Sequence, residues 1–157
     1  MKLIDSGKRR AFETGAVRDI SEGKGRCDLL PLETIGKWFG DLTLIEIGEY
    51  VYDGNIEHIR RAMNFFITAR YPNRQEALLE VAKHYEDGAK KYDDRNWEQG
   101  IPLHCYIDSG VRHYLKFNRG DTDEPHDRAF LWNMLGLLWT QENMPDMNDL
   151  PFGEVTE

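Results

Sequence analysis

Acidic residues gather at one predicted helix start. Asp123, Glu124 and Asp127 lie close together, and the three-residue spacing of Glu124 and Asp127 predicts that both carboxylates face one point. Glu80 and Asp108 belong to two other predicted helices. Four carboxylates from three helices suit a hard divalent cation such as Mg²⁺, which prefers oxygen ligands. We therefore predict a metal-dependent catalytic site made by Glu80, Asp108, Glu124 and Asp127. Acidic residues also complement a helix dipole, and that simpler explanation stays open for this helix start.

Four basic side chains are the cationic complement of these carboxylates. They are Lys91, Arg95, Arg112 and His113. Together with a bound metal, such cations could hold a polyphosphate and stabilise charge that develops at phosphorus. The alternative is ordinary salt bridging, for instance between Asp108 and Arg112 at helical i, i+4 spacing.

The stretch 84–102 combines acidic, basic, amide and aromatic side chains with few aliphatic ones. A segment of this composition is a poor core element, and we interpret it as one wall of a polar site. Its Trp97 could stack on a base or close one end of a helical bundle.

Composition narrows the class of protein. The 157 residues carry a net charge of -8, which argues against generic nucleic-acid binding because that requires a basic face. The two cysteines, Cys27 and Cys105, form no disulfide framework and have no metal-type CxxC spacing, so a reduced, cytoplasmic compartment fits best. The longest apolar-rich run, residues 130–139, is too short to span a membrane. We expect one cytoplasmic domain with neither a nucleic-acid nor a membrane partner.

Hydrophobic periodicity predicts an all-α fold. Apolar residues recur at helical spacing in segments that start near residue 32 and over residues 42–52, 56–70, 75–92, 102–118 and 123–142. Asn55 is a predicted N-cap, and Trp38 and Phe39 are predicted core residues. A helical bundle is the natural architecture, preceded by an ordered N-terminal arm over residues 1–31 and followed by an acidic tail over residues 143–157.

Three blocks of the chain carry a family resemblance. They are GAVRDISEGKGRCDLLP at residues 15–31, EVAKHYEDGAKKYDDRNWEQGIP at residues 80–102 and IDSGVRHYLKFNRGDTDEPHDRAFLWN at residues 107–133. In their order and combination, they resemble the phage and bacterial dATP/dGTP diphosphohydrolases. These enzymes are relatives of the MazG-like all-α nucleoside triphosphate pyrophosphohydrolases. The intervening residues 32–75 look like a helical insertion, which leaves residues 76–142 as the catalytic core.

The resemblance implies an enzyme of nucleotide-pool metabolism. It implies hydrolysis of dGTP or dATP at the α-β phosphate bond, which yields a nucleoside monophosphate and pyrophosphate. It also implies a requirement for Mg²⁺ or Mn²⁺. Relatives of this kind assemble as homodimers or homotetramers with helices of two subunits around each site.

One motif of the wider class is incomplete here. MazG-like enzymes carry Glu-Glu-x-x-Glu on one helix and Glu-x-x-Asp on the next, and residues 124–127 match the second pattern. The first pattern is absent, and its nearest equivalent runs from Asp108 to Arg112. The resemblance therefore leaves Glu80 or Glu86 to supply the missing carboxylate. The implied metal ligands are Glu80, Glu86, Asp108, Glu124 and Asp127.

Two choices remain open at this level. An alternative register pairs Asp123 with His126 instead of Glu124 with Asp127. The incomplete motif also leaves room for a non-catalytic helical module that binds nucleotides or regulates a partner. For either function, we predict substrate contacts by Lys91, Arg95, Asn96, Trp97, Arg112, His113 and His126. Here the Asn96 amide would pair with the sugar or a purine edge.

Overall fold

The computed structural model describes residues 7–153 of the chain, and it confirms the all-α prediction. The first six residues of the predicted arm and the last four of the predicted tail lie outside this range. Six helices follow one another: α1 (Leu32–Phe39), α2 (Leu42–Asp53), α3 (Ile56–Arg70), α4 (Arg74–Lys91), α5 (Leu103–Arg119) and α6 (His126–Asn143). Short 3-10 turns lie at Cys27–Leu29, Asn96–Gln99, Pro145–Met147 and Pro151–Gly153.

Side-chain caps set several helix starts. The predicted cap Asn55 is confirmed, since its side chain accepts a hydrogen bond from the Glu57 N–H at 3.0 Å. Asn73 caps α4 in the same way through the Glu76 N–H, at 2.8 Å. In contrast, α6 begins at His126 and not at residue 123. Pro125 explains the difference, because a proline disfavours helical geometry in the residue before it.

Helix α6 is the centre of the bundle. Phe130, Leu131 and Gly136 are all buried, and helical geometry places them on three different sides of the helix. A helix that is buried on several sides must be covered by several neighbours, and α6 packs extensively against α5 and also against α4 and α3. The side chains that α5 and α6 contribute are therefore anchored to a closely packed helix pair.

Helices α1 to α3 form a second layer, in which α1 packs on α2 and α2 on α3. The prediction that Trp38 and Phe39 belong to the core is wrong, because their exposed fractions are 83% and 82%. Helix α1 is eight residues long and buries Leu32 and Gly36. A helix this short covers a narrow stripe, so the apolar residues at its end remain in water.

The N-terminal arm contains a small hairpin that the sequence pattern did not predict. Strands β1 (Arg9–Ala11) and β2 (Val17–Asp19) pair in antiparallel fashion, with Arg10 opposite Arg18. Three residues per strand are too few for an alternating pattern to be recognised. The arm then continues into the turn at Cys27–Leu29, which packs against α5. It thus lies alongside α5, one of the helices that line the candidate site.

Candidate active site

A cavity of about 460 Å³ lies between the arm and the bundle. The second half of α4 and the turn after it, within residues 84–97, supply more of its lining than any other segment. Strand β2 and the residues after it cover one side, while α5 and α6 form the remaining walls. The volume falls within the usual range of small-molecule sites.

The cavity is basic although the whole chain is acidic. Seven lining residues are Lys or Arg, and four are Asp or Glu. The basic ones are Arg10, Arg18, Lys24, Lys91, Arg95, Arg112 and Lys116, and the acidic ones are Asp19, Asp93, Asp94 and Glu124. A concentration of cations against the net charge of -8 indicates a site for an anion.

Asn96 fastens the hairpin to the bundle. Its side chain accepts a hydrogen bond from the Val17 N–H at 2.8 Å and donates one to the Val17 carbonyl oxygen at 2.7 Å. The side chain is buried, and both of its polar ends are occupied. The structure therefore gives Asn96 a different position from the predicted one: it shapes the cavity wall by holding β2 and has no free amide edge for a base.

Asp108 and Arg112 fasten the next part of the arm. The Asp108 carboxylate accepts hydrogen bonds from the Cys27 N–H at 2.7 Å and from the Arg112 guanidinium at 2.6 Å. Arg112 also donates to the Gly25 carbonyl oxygen at 2.6 Å. Gly25 has a φ of +90°, a conformation that suits glycine and brings its carbonyl within reach of α5. The open alternative of a salt bridge between Asp108 and Arg112 is the arrangement observed.

Arg18 has a buried guanidinium atom at the cavity. Burial lowers the pKa of its guanidinium, which lies 5.3 Å from the Trp132 ring centre and donates a hydrogen bond to the Asn133 side-chain oxygen at 3.1 Å. Its Nη1 atom has no hydrogen-bond partner within residues 7–153. A buried donor of this kind is costly unless a ligand satisfies it.

Aromatic side chains give another part of the cavity an apolar lining. Trp97 and Trp132 each contact Tyr85, with ring centres 5.8 and 5.9 Å apart, and His84 lies 5.8 Å from Trp132. All four residues line the cavity. Such a row of flat side chains suits a planar ring, whose stacking on an aromatic residue typically contributes about 1–3 kcal/mol per base.

Two histidines and a glutamate make a group that could hold a metal ion at one wall. The ligand atoms of His113, Glu124 and His126 lie within 4.8 Å of one another. The two Nδ1 atoms of the histidines are 2.9 Å apart. Burial and the neighbouring His126 keep the pKa of His113 well below its ordinary value, so its ring is neutral, as a metal ligand must be.

The surroundings of this group match a metal site. The Asp123 carboxylate lies 2.8 Å from Nε2 of His126 and orients that ring, as carboxylates commonly do for metal-bound histidines. Asp121, Asp123 and His126 form an overlapping group of possible ligands. Two imidazoles and one carboxylate fit a first-row transition ion better than Mg²⁺, which prefers oxygen ligands alone. The register that pairs Asp123 with His126 is thus the one seen in the structure.

The five predicted metal ligands do not converge. Glu80 contacts Lys83 at 2.6 Å and Arg128 at 3.9 Å. Glu86 is largely exposed beside Lys90. These positions separate both residues from the group on the cavity wall.

Asp108 and Asp127 also have other partners. Asp108 holds the arm, and Asp127 accepts a hydrogen bond from the Tyr71 hydroxyl at 2.9 Å. Of the five, Glu124 lines the cavity. The helical spacing argument for Glu124 and Asp127 does not apply, because Glu124 precedes the first residue of α6.

The predicted substrate-binding residues lie together with one exception. Lys91, Arg95, Asn96, Trp97, Arg112 and His113 line the cavity. His126 lies behind His113 and is buried. Arg95 sits at a strained turn with a φ of 55°, and its exposed side chain lies 3.4 Å from Glu98.

Other lining residues escaped the sequence argument. Arg10 had no signal, since its place depends on the hairpin pairing. Ser109 and Lys116 could have been joined to the predicted Arg112 and His113 by helical spacing on α5. Trp132 and Asn133 were hidden in the apolar pattern of α6.

A third possible metal-binding group, made by Glu46, Glu49 and His58, belongs to α2 and α3, which do not contribute to the cavity.

Within residues 7–153, no helix combines the length and the apolar character needed to cross a lipid bilayer.

Comparison with known proteins gives one match. The family model described as dATP/dGTP diphosphohydrolase, N-terminal, matches residues 67–150, which is more than half of the chain. The match spans the bundle side of the cavity, with α4, α5 and α6, and leaves out the arm. Neither a curated protein nor a solved structure matches the chain.

Proposed function

Because the chain belongs to the dATP/dGTP diphosphohydrolase N-terminal family, we propose that it hydrolyses dGTP and dATP at the α-β phosphate bond. The products would be the nucleoside monophosphate and pyrophosphate. One observation carries the proposal: a single cavity combines seven basic residues, a row of aromatic rings and one edge of a possible metal-binding group. These three features correspond to the triphosphate, the base and the ion that such a reaction needs.

The basic residues would bind the triphosphate. Lys91 is the last residue of α4, Arg95 lies in the turn after it, and Lys116 lies one turn beyond His113 on α5. Their charges would hold the phosphates and offset the negative charge on the departing pyrophosphate. Arg18 and Arg112 are held by neighbouring groups, so they would act as fixed positive charges in the wall.

The metal-binding group, His113, Glu124 and His126, would hold Mn²⁺ or Mg²⁺, and its two imidazoles favour Mn²⁺. A bound divalent ion would supply positive charge at the phosphate and lower the pKa of a coordinated water. Glu124 is the predicted catalytic carboxylate that lines the cavity. It would hold the ion or accept the proton of the attacking water, and both roles require its negative charge. The water oxygen would bond to the α-phosphorus as the bond to the bridging oxygen breaks.

Product analysis tests the reaction. Purified protein incubated with each dNTP and Mn²⁺ or Mg²⁺ should release dGMP or dAMP with pyrophosphate. Release of inorganic triphosphate, or of a diphosphate with orthophosphate, would contradict the assigned bond. Absence of product from every dNTP with either ion would overturn the proposed hydrolysis.

A substitution tests the role of Glu124. Glu124→Gln removes the charge with little change in shape, so turnover should fall at least 100-fold, or about 2.7 kcal/mol of transition-state stabilisation. The matched control is Glu76→Gln on the exposed first turn of α4, which should retain full activity. Full activity of Glu124→Gln would remove this residue from the mechanism.

A second candidate is a nucleotide-binding or regulatory module without catalysis. The observation that favours it is the separation of the predicted carboxylates, four of which do not line the cavity. Calorimetry distinguishes the two functions. The module would bind dGTP and release it unchanged, whereas the enzyme would convert it.

The family also leads us to propose a cytoplasmic homo-oligomer, of phage or bacterial origin, whose subunits share their sites. Light scattering of the purified protein tests the assembly. A monomer that is fully active on dGTP would refute this part of the proposal.

A further inference from the structure

His84 is a buried polar residue that the proposed mechanism does not use. It lies on α4, lines the cavity and has an exposed fraction of 7%. Its Nδ1 atom has no hydrogen-bond partner within residues 7–153. An unsatisfied buried polar group of this kind destabilises the unliganded protein. The cost is explained if a ligand supplies the missing partner in the bound state.

The His84 ring is neutral. Burial lowers its pKa to about 3, and the nearby positive charges of Arg128, Arg18 and Lys91 act in the same direction. A neutral imidazole has one N–H donor and one acceptor nitrogen, so it binds an uncharged partner without a change of protonation. The cations around it are better suited to phosphate, which leaves His84 for another part of the ligand.

The neighbours of His84 identify that part. Its ring centre lies 5.8 Å from Trp132, which in turn contacts Tyr85 at 5.9 Å. A planar base that enters this row would stack on the aromatic rings and present its edge to the imidazole. His84 would then be the polar group that reads the base.

The chemistry of the two purines explains how one histidine could serve both. Adenine and guanine differ at position 6, where adenine has an amino donor and guanine a carbonyl acceptor. Both have an acceptor at N7, and pyrimidines lack this atom. A single donor directed at N7 therefore accepts both purines and discriminates against pyrimidines.

Building on the function proposed above, we propose that His84 determines purine specificity by donating a hydrogen bond from its imidazole to N7 of a base stacked beside Trp132. The relevant ligands are purine nucleotides of the deoxy series. This assignment gives His84 a role in binding and selection and none in bond cleavage.

The test compares natural nucleotides with analogues that have a carbon in place of N7. Binding of dGTP, dATP, 7-deaza-dGTP and 7-deaza-dATP is measured by calorimetry in EDTA, where metal-dependent turnover is suppressed. The wild-type protein should bind the natural nucleotides roughly 5- to 150-fold more tightly than the 7-deaza analogues, as expected for a lost hydrogen bond to a buried group. Equal affinities for both sets would overturn the proposal.

Substitution assigns the preference to His84. His84→Phe keeps a flat ring and removes both nitrogens, so it should bind natural and 7-deaza nucleotides equally. His84→Gln keeps a donor and should recover part of the preference, and it also serves if the Phe variant does not fold. His104→Phe, outside the cavity, is the matched control and should retain the wild-type ratio. A preference that persists in both His84 variants would refute the assignment.

The two proposals fail separately. If the wild-type protein hydrolyses no dNTP but shows an N7 preference that depends on His84, the proposed reaction is wrong and the specificity assignment stands. If it hydrolyses dGTP and 7-deaza-dGTP is bound equally well, the reaction stands and the role of His84 is wrong.

Discussion

Asn96 and Val17 form a closed pair of hydrogen bonds that joins the turn after α4 to strand β2. One bond runs from the Val17 N–H to Oδ1 of Asn96 and the other from Nδ2 of Asn96 to the Val17 carbonyl, at 2.8 and 2.7 Å. The next residue of the strand is Arg18, a cation that lines the cavity. The pair therefore links the position of the arm to the shape of the site.

The first prediction concerns this pair. Asn96→Ala leaves two backbone groups of Val17 without their partners, so the free energy of unfolding should fall by about 1–3 kcal/mol. Loss of these two hydrogen bonds should also raise the KM for dGTP, because Arg18 is held less firmly. Urea denaturation and steady-state kinetics measure the two effects. Asn143→Ala removes an exposed side-chain bond to the Trp139 carbonyl and should change stability by less than about 0.5 kcal/mol. An equally small loss of stability in Asn96→Ala would show that the two hydrogen bonds to Val17 do not stabilise the fold.

A second prediction separates a structural from a metal-binding role of Asp108. Asp108→Ala leaves the buried Arg112 charge without its carboxylate and should destabilise the fold by about 3–5 kcal/mol. Asp108→Asn keeps an acceptor for the Cys27 N–H, so it should lose less stability. Mn²⁺ affinity, measured by calorimetry, should be unchanged in the Asn variant. A variant that remains stable but no longer binds Mn²⁺ would restore Asp108 to the metal ligands.

The third prediction concerns pH and the pair formed by His104 and Asp149. The hydrogen bond to Asp149 raises the pKa of His104 to about 10, well above its ordinary value of about 6.5. A raised folded-state pKa stabilises the protein fully below the unfolded value and is lost as pH rises through the folded one. The stability that this pair provides should therefore decline between about pH 6.5 and about 10.

The acid limit of the same pair comes from Asp149. Burial acts to raise the pKa of its carboxyl, but the hydrogen bonds from His104 outweigh it and lower the pKa overall. Its contribution is present at neutral pH and is lost as pH falls through the lowered pKa.

Urea denaturation across the alkaline range tests the decline predicted for His104. His104→Gln should flatten the decline, and an unchanged pH profile in this variant would refute the assignment.

The fourth prediction uses two glycines of opposite environment. A methyl group at Gly136 would lie 2.5 Å from the Tyr106 ring, which is fully buried and cannot move aside. Gly136→Ala should therefore cost about 1–3 kcal/mol of stability. At Gly88 on α4 a methyl group meets nothing within 4 Å, so Gly88→Ala should stabilise the protein by about 0.5–1 kcal/mol through reduced backbone entropy. Equal changes of Tm for the two substitutions in thermal denaturation would contradict the close contact between Gly136 on α6 and Tyr106 on α5.

The helices were predictable because their signals are local. Helical periodicity and the cap at Asn55 depend on residues within a few positions of one another, and the helices lie close to the predicted segments. The predictions that failed depended on distant partners. Whether Trp38 is buried depends on what covers the end of α1, and a pattern along one helix contains no such information.

The sequence by itself determined the helical class, the family and the importance of residues 84–102, since these follow from composition, local spacing and motif order. The tertiary structure decided which chemical groups meet. Packing turned Asp108 and Asn96 toward the arm and placed Glu124 beside His113 and His126. The contacts with the arm join residues that are far apart in the sequence, and they depend on long-range packing and hydrogen bonds that local sequence patterns do not reveal.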